Sequence, residues 1–122
     1  MLPAYDDLLI KRFESPDEVR TFVHGKFELI RLGGMAIGRA LYRPSWRWSE
    51  HVRPLAGTAY CEVAHVGMVV QGQCACAMLD RRTYIMQPGD FLYIGPGHDS
   101  WVVGDEPYVS LHFLGSEHYA TR

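Results

Sequence analysis

Long hydrophobic runs are absent from this sequence of 122 residues, and so is any block of basic residues. No window approaches the roughly 18 consecutive apolar residues of a membrane-spanning helix, so we expect no membrane partner. Lys and Arg number 12 against 14 Asp and Glu, which gives a formal net charge of −2. Nonspecific binding to nucleic acid requires clustered positive charge, so we expect no nucleic-acid partner either.

Cysteine is scarce and odd in number, the three residues being Cys61, Cys74 and Cys76. An odd count argues against a disulfide framework. Asp6 and Asp7 precede the first apolar run, which argues against a secretory signal, so we expect a cytoplasmic protein. Cys74 and Cys76 are two residues apart and would share one face of a strand. We interpret them as small buried hydrophobes, with ligation of a soft metal as the alternative.

Internal repeats and low-complexity linkers are also missing, while apolar residues make up 48% of the chain and charged residues 21%. This composition is typical of a globular protein, and the length suits one domain with its own core. Ser15 and Pro16 predict the start of a short helix, since serine caps helices and proline suits their first position. Asp17 and Glu18 follow, and acidic residues favour the positive end of a helix dipole.

After this predicted helix the pattern changes to short apolar strands separated by turn residues. Strands at this spacing, with no second long helix, predict an antiparallel sandwich or barrel. The predicted strands cover residues 27–32, 35–42, 65–70, 74–79, 83–86, 91–94, 100–103 and 108–114.

The most informative segment is the one that ends at His98. Pro88-Gly89 predicts a tight turn, because proline presets φ and glycine accepts a positive φ. Residues 91–94 read as a short buried strand, and Gly95-Pro96-Gly97 turns the backbone again. A histidine that follows such a corner can point into the mouth of a barrel, where a metal or a substrate would lie.

Six histidines are present, and three of them fall at special places. His51 follows a Trp-rich segment, His65 opens an apolar strand, and His98 follows the Pro-Gly corner. If these imidazoles converge, they form a divalent metal site with an open coordination position, suited to activating a bound water or a substrate oxygen. His112, inside the last strand, is a further ligand, an acid or base, or a hydrogen-bonded core residue.

The chain resembles small single-domain cupins, which fold as a double-stranded β-helix, or jelly-roll, barrel. Their second motif is Pro-Gly-Asp, a short apolar strand, a Pro-Gly corner and a histidine, and Pro88-Gly89-Asp90 and Gly95-Pro96-Gly97-His98 match it. Cupins often place that histidine two residues later, where this chain has Ser100. Serine is a poor metal ligand and His98 is the only imidazole nearby, so we assign His98 to this position and infer a shortened loop. The resemblance implies an all-β cupin barrel over residues 26–115, after an N-terminal extension with the short helix (1–25) and before a tail (116–122).

The first cupin motif is altered in this chain. In cupins it has a His-x-His pair, a glutamate a few residues later and a glycine after six more. Counted back from Gly72, Ala59 and Cys61 stand at the histidine positions and His65 at the glutamate position. The resemblance implies a divalent ion (Zn, Fe, Ni or Mn). The predicted ligands are His65, His98 and His51, which lies outside this count and would reach in from the Trp-rich segment. The further candidates for ligand or acid/base are Cys61, His112 and Glu62.

Aromatic and cationic side chains near these histidines predict the wall of a pocket. Trp46 and Trp48 are two apart and would share a strand face, as a pocket wall, a dimer contact or ordinary core packing. Arginines bind carboxylate or phosphate through paired hydrogen bonds, with surface charge as their alternative role. The predicted wall residues are Trp46, Trp48, Tyr93, Trp101 and Arg53.

These features predict a metal-binding cupin that binds or acts on a small organic molecule in the barrel, and the resemblance implies oxidase, isomerase or lyase chemistry. The alternative is a noncatalytic sensory or regulatory module that binds a small molecule. A third interpretation is a dimerisation scaffold, in which Val66, Met68 and Val70 form the pairing face of a sheet. A homodimer is compatible with all three interpretations, so the oligomeric state alone does not distinguish them.

Overall fold

The computed structural model describes residues 8–121. Residues 1–7 of the predicted N-terminal extension and Arg122 of the predicted tail lie outside that range. Two one-turn helices follow the third strand, and no helix within the described range has the length and apolar character needed to cross a membrane. The elements are β1 (Glu18–Phe22), β2 (Gly25–Leu32), β3 (Met35–Tyr42), α1 (Trp48–His51), α2 (Arg53–Ala56), β4 (His65–Gln71), β5 (Gln73–Met78), β6 (Thr83–Met86), β7 (Phe91–Ile94), β8 (His98–Val103), β9 (Tyr108–Leu114) and a 3₁₀ turn (Ser116–His118).

The strands form two antiparallel sheets, which confirms the predicted all-β class. One sheet has six strands in the order β1-β2-β3-β9-β4-β7, and the other has three in the order β6-β5-β8. The predicted closed barrel is not seen, because β6 pairs only with β5 and β7 only with β4 among the residues described. Two isolated bridges connect loop residues to β8, one from Arg47 to Trp101 and one from Cys61 to His98.

The core lies between the two sheets and is rich in aromatic rings. Alternate residues of a strand face the same side, so Phe27 and Leu29 of β2 and Tyr42 of β3 are buried together. The loop after β3 adds Trp46, whose ring stacks on Tyr42 with the centroids 3.7 Å apart. Trp48, the first residue of α1, is also buried. These rings belong to one continuous cluster of buried residues.

The helix predicted from Ser15 is wrong. Residues 13–15 form a turn, and Glu18 begins β1, which pairs with β2. The Asp17 carboxylate does not cap a helix but accepts hydrogen bonds from the Arg31 backbone N–H at 2.7 Å and from Lys11 Nζ at 2.8 Å. Strand pairing satisfies the backbone of this segment, and tertiary context overrides a weak local preference for helix.

Candidate metal centre

Three buried side chains converge at one end of the space between the sheets. Cys61, His65 and His98 each offer one donor atom, and these atoms all lie within 4.8 Å of one another. His65 is the first residue of β4 and His98 the first of β8. Cys61 is bridged to His98, and the Cys61 backbone N–H donates to the His98 carbonyl oxygen at 2.9 Å. Cys61, from the loop before β4, therefore lies beside the first residues of β4 and β8.

The Pro-Gly corner fixes the orientation of the His98 ring. Gly97 has φ +87°, a left-handed conformation that favours glycine, and its N–H donates to the Cys61 carbonyl oxygen at 2.7 Å. His98 Nδ1 lies 2.7 Å from the Gly95 carbonyl oxygen. A carbonyl only accepts, so Nδ1 carries the proton and Nε2 keeps its lone pair. A backbone carbonyl on one ring nitrogen is the usual way in which a metal-binding histidine is oriented.

Burial sets the protonation states at this site. It lowers the pKa of His65 well below 6.5, and the charges of His112 and His98 act in the same direction. Burial also lowers the pKa of His98, so both imidazoles are neutral at pH 7, as metal ligands must be. Burial raises the pKa of the Cys61 thiol to about 12, so in the free protein this group is protonated.

The residues present fit a metal ion by a structural criterion. His65 Nδ1 is buried without a hydrogen-bond partner, and His65 Nε2 lies 3.6 Å from Cys61 Sγ. The donor atoms that Cys61, His65 and His98 offer lie close enough together to hold one ion. One sulfur and two imidazole nitrogens are donors typical of zinc and of other transition metals, and three protein ligands leave one position open.

The structure does not bring the predicted ligand His51 into this group. His51 lies in α1, where its Nδ1 accepts a hydrogen bond from the Arg47 backbone N–H at 3.0 Å. Its ring packs edge-on against His24, with the centroids 4.9 Å apart, and its Nε2 lies 3.8 Å from a Glu50 carboxylate oxygen. The α1 turn buries Trp48, and the His51 side chain bonds back to Arg47 at the start of the same turn. Cys61, rather than His51, is therefore the third member of the donor group.

The other candidate ligands border the group without joining it. The His112 ring lies 5.2 Å from that of His65, and its Nε2 is 2.8 Å from Ser110 Oγ. Its Nδ1 is buried without a partner, and burial lowers its pKa to about 4. Glu62 is exposed and lines a pocket beside Cys61.

Two cavities meet at the cluster. An interior cavity of about 30 Å³ is lined by His65 and His98, and a pocket of about 210 Å³ is lined by Cys61. Trp48 and Tyr119 line both cavities and separate them. The donor group is therefore bordered by two cavities, of which only the second has room for more than about one water molecule.

Most of the residues predicted to form a pocket wall lie outside the two cavities that border the donor group. Trp48 borders both cavities, whereas Trp46 is a core residue. Trp101 lies under the Arg47 guanidinium, whose carbon is 4.4 Å from a ring centroid. Tyr93 is 68% exposed and lines a different groove, and Arg53 is exposed at the start of α2.

Tyr119 is the site residue that sequence reasoning missed. It is 4% exposed, its ring centroid lies 5.3 Å from that of His65, and its hydroxyl is 2.6 Å from the Tyr42 hydroxyl. It stands near the chain end among polar residues, so no periodic pattern marks it as buried. Two arginine contacts hold its segment: Arg20 Nη1 donates to the carbonyls of Ser116 and Tyr119.

Comparisons with known proteins agree with this architecture. No protein-family model and no curated protein matches the chain. A polyketide cyclase from Streptomyces resistomycificus superposes with a TM-score of 0.63 at 12% identity, over 88% of this chain and 78% of that one. A cupin 2 domain-containing protein from Halorhodospira halophila gives 0.57 at 22% identity, over 75% and 64%. A cupin-2 domain from Rhodospirillum rubrum gives 0.56 at 16% identity, over 89% and 68%.

The fold is therefore that of a small cupin-type domain. Within that fold, this chain carries a buried Cys-His-His group that can hold a metal ion. Identities of this size show the fold alone, so the function rests on the site.

Proposed function

We propose that this protein holds one divalent ion through Cys61, His65 and His98 and binds a small organic molecule beside it. The observation that supports this most directly is the convergence of three buried donors within 4.8 Å. The Gly95 carbonyl gives His98 the tautomer that a ligand needs, and His65 has a buried ring nitrogen without a partner. Mixed sulfur and nitrogen donors favour Zn, Fe or Ni over Mn, which prefers oxygen.

The chain's own groups prepare the site for this role. Burial keeps both imidazoles neutral, and the Cys61 thiol releases its proton when it becomes a ligand, so affinity rises with pH. A bound divalent ion supplies Lewis acidity toward a water or a substrate oxygen. Trp48 and Tyr119 exclude bulk water from the interior side of the donors, because both line the small cavity there.

The space available favours a binding position for the organic molecule outside the interior. The cavity of about 30 Å³ holds roughly one water molecule. The neighbouring pocket of about 210 Å³ borders Cys61 and also carries Glu62 and His118. A small molecule with polar groups would lie there, within reach of a carboxylate and an imidazole, rather than deep in the barrel as the sequence suggested.

A noncatalytic binding or sensory module is the second candidate, and the packed interior favours it. Rings such as Tyr42, Trp46 and Tyr108 occupy the space in which a substrate would be enclosed. A bound molecule recovered unchanged, with no turnover under Zn, Fe or Ni, would support this function over an enzyme.

Metal analysis of purified protein tests the proposed site. Wild type from metal-supplemented medium, purified without chelator, is expected to contain about one equivalent of metal. Cys61→Ala, His65→Ala and His98→Ala are expected to lower the affinity by more than the roughly 100-fold that loss of an outer partner can cost. His51→Ala is the matched control and is expected to retain full metal.

Circular dichroism of each variant separates loss of a ligand from loss of the fold. If His65→Ala and His98→Ala both remain folded and keep full metal, the proposed site is wrong.

A further inference from the structure

We infer that the open seam between β6 and β7 is a binding groove for a neutral, mostly apolar molecule that contains a ring. The seam holds a cavity of about 470 Å³ between the two sheets. This volume lies within the range of about 300–1,000 Å³ that small-molecule sites occupy. The groove is separate from the pocket beside Cys61, and the inference does not require a metal.

The groove exists because the two sheets stay apart at these strands. β6 ends the three-stranded sheet and β7 ends the six-stranded sheet. The turn that joins them is tied to β4: the Gly89 N–H donates to the Val69 carbonyl at 3.0 Å, and the Val69 N–H donates to the Asp90 carbonyl at 3.0 Å. The Gln87 N–H also donates to an Asp90 carboxylate oxygen at 2.9 Å. The turn between β6 and β7 is therefore fixed, and a preformed site costs less to occupy.

The lining side chains define the chemistry of the occupant. Cys76, Met78 and Met86 form a sulfur-rich wall, and thioethers adapt their shape and make favourable contacts with aromatic rings. Tyr84 and Tyr93, which are 51% and 68% exposed, stand at the mouth and offer ring faces and hydroxyls. None of the residues that line the groove is charged. An ionic ligand would lose its hydration without a partner, which favours a neutral one.

The groove also lies close to the histidine cluster. Met86, Leu92 and Ile94 line both the groove and the interior cavity that His65 and His98 border. A molecule in the seam is therefore separated from the histidines by one layer of side chains.

Fluorescence titration with N-phenyl-1-naphthylamine, a neutral aromatic probe, tests binding in the groove. We expect saturable binding to wild type. The double variant Tyr84→Ala/Tyr93→Ala is expected to bind roughly tenfold more weakly, because each aromatic contact contributes to affinity beyond its buried area. The matched controls are Ile85→Ala and Phe91→Ala, which change similarly exposed side chains of the same strands outside the groove and are expected to leave affinity unchanged.

Methyl NMR of ¹³C-methionine protein locates the probe. Met78 and Met86 line the groove, whereas Met35 and Met68 lie on β3 and β4 outside it. Probe addition is expected to shift the first two methyl signals and to leave the last two in place. The inference is overturned if Met35 or Met68 shifts as strongly, or if Phe91→Ala weakens binding as much as the double variant.

The same titration on His98→Ala separates this inference from the proposed metal site. Probe affinity is expected to stay within about twofold of wild type even when the metal is lost. A second protein copy seated in the seam would make probe affinity fall as protein concentration rises, and that result would also overturn the inference.

Discussion

Tyr42 and Tyr119 form a buried pair that ties the last residues of the chain to the core. Their hydroxyl oxygens are 2.6 Å apart, and the Tyr119 ring also packs edge-on against Phe27, with the centroids 4.8 Å apart. Tyr42 is 5% exposed and Tyr119 4%. Each hydroxyl therefore depends on the other, because water does not reach it.

Removal of one of the two hydroxyls is expected to lower the free energy of unfolding more than removal of both. Tyr42→Phe or Tyr119→Phe leaves a buried hydroxyl unpaired, at about 1–3 kcal/mol of unfolding free energy. The double variant removes both partners and is expected to cost no more than either single change. Urea denaturation of the four proteins measures this cycle, and additive losses would contradict it.

The same pair predicts a loss of stability in alkaline solution. Burial raises the pKa of both phenols well above 10.0, whereas in the unfolded chain they titrate near that value. Above pH 10 the unfolded state therefore releases protons that the folded state retains, so this contribution is present below pH 10 and declines as pH rises. Urea denaturation from pH 8 to 11 is expected to show a shallower decline in the free energy of unfolding for the double phenylalanine variant than for wild type. Some decline remains in that variant, because burial also raises the pKa of Tyr108. Equal slopes would refute the assignment.

At the scale of elements, the pairing of β4 with β9 positions two histidines. Gly67 of β4 stands opposite His112 of β9, beside a register shift between Val66 and Gly67. A Cβ added at Gly67 would overlap the Leu111 carbonyl oxygen, so only glycine permits this approach. The close pairing brings the His112 ring beside that of His65.

Gly67→Ala is expected to destabilise the fold by about 1–3 kcal/mol, because backbone must move to accept the methyl group. Gly95→Ala is the control: its added Cβ would meet only Tyr93 atoms at 3.8 and 3.9 Å, and we expect a change within about 0.5 kcal/mol. Thermal or urea unfolding measures both. A neutral Gly67→Ala would show that the two strands lie further apart.

At the scale of the whole molecule, the outer face of the six-stranded sheet carries an apolar patch across β7, β4 and β9. Its most exposed members are Phe91 at 76% and Leu114 at 50%, and Tyr93 lies beside it at the mouth of the groove between β6 and β7. Patches of this kind mark sites of association, and a twofold axis pairs one patch with itself. Strand register places the side chains of the patch in two rows, Val66–Leu114 and Phe91–Met68–Leu111.

We expect this patch to form the homodimer interface, and a charge within it to produce monomers. Phe91→Asp is the test because its exposed side chain is not needed for folding. Ile85→Asp, on the other sheet and 52% exposed, is the matched control and is expected to remain dimeric. Sedimentation velocity measures both, and a wild type that stays monomeric at high concentration would contradict the expectation.

Local patterns predicted the strands well. The strands expected at 83–86 and 91–94 have those bounds in β6 and β7, because short apolar runs between turn residues specify extended backbone directly. The Pro-Gly corner was also readable, since proline and glycine restrict and permit particular φ values. The segment after Ser15 was misread because its local helix signals are weaker than pairing with β2.

The sequence by itself determined the all-β class, the turns and the histidine that follows the Gly95-Pro96-Gly97 corner, because these depend on neighbouring residues. Only the tertiary structure decided that Cys61 rather than His51 joins His65 and His98, and that Tyr119 packs beside His65. Convergence of donors depends on strand register and on long-range packing, and neither is encoded in the spacing of residues along the chain. The seam between β6 and β7 likewise arises only when two sheets are placed against each other.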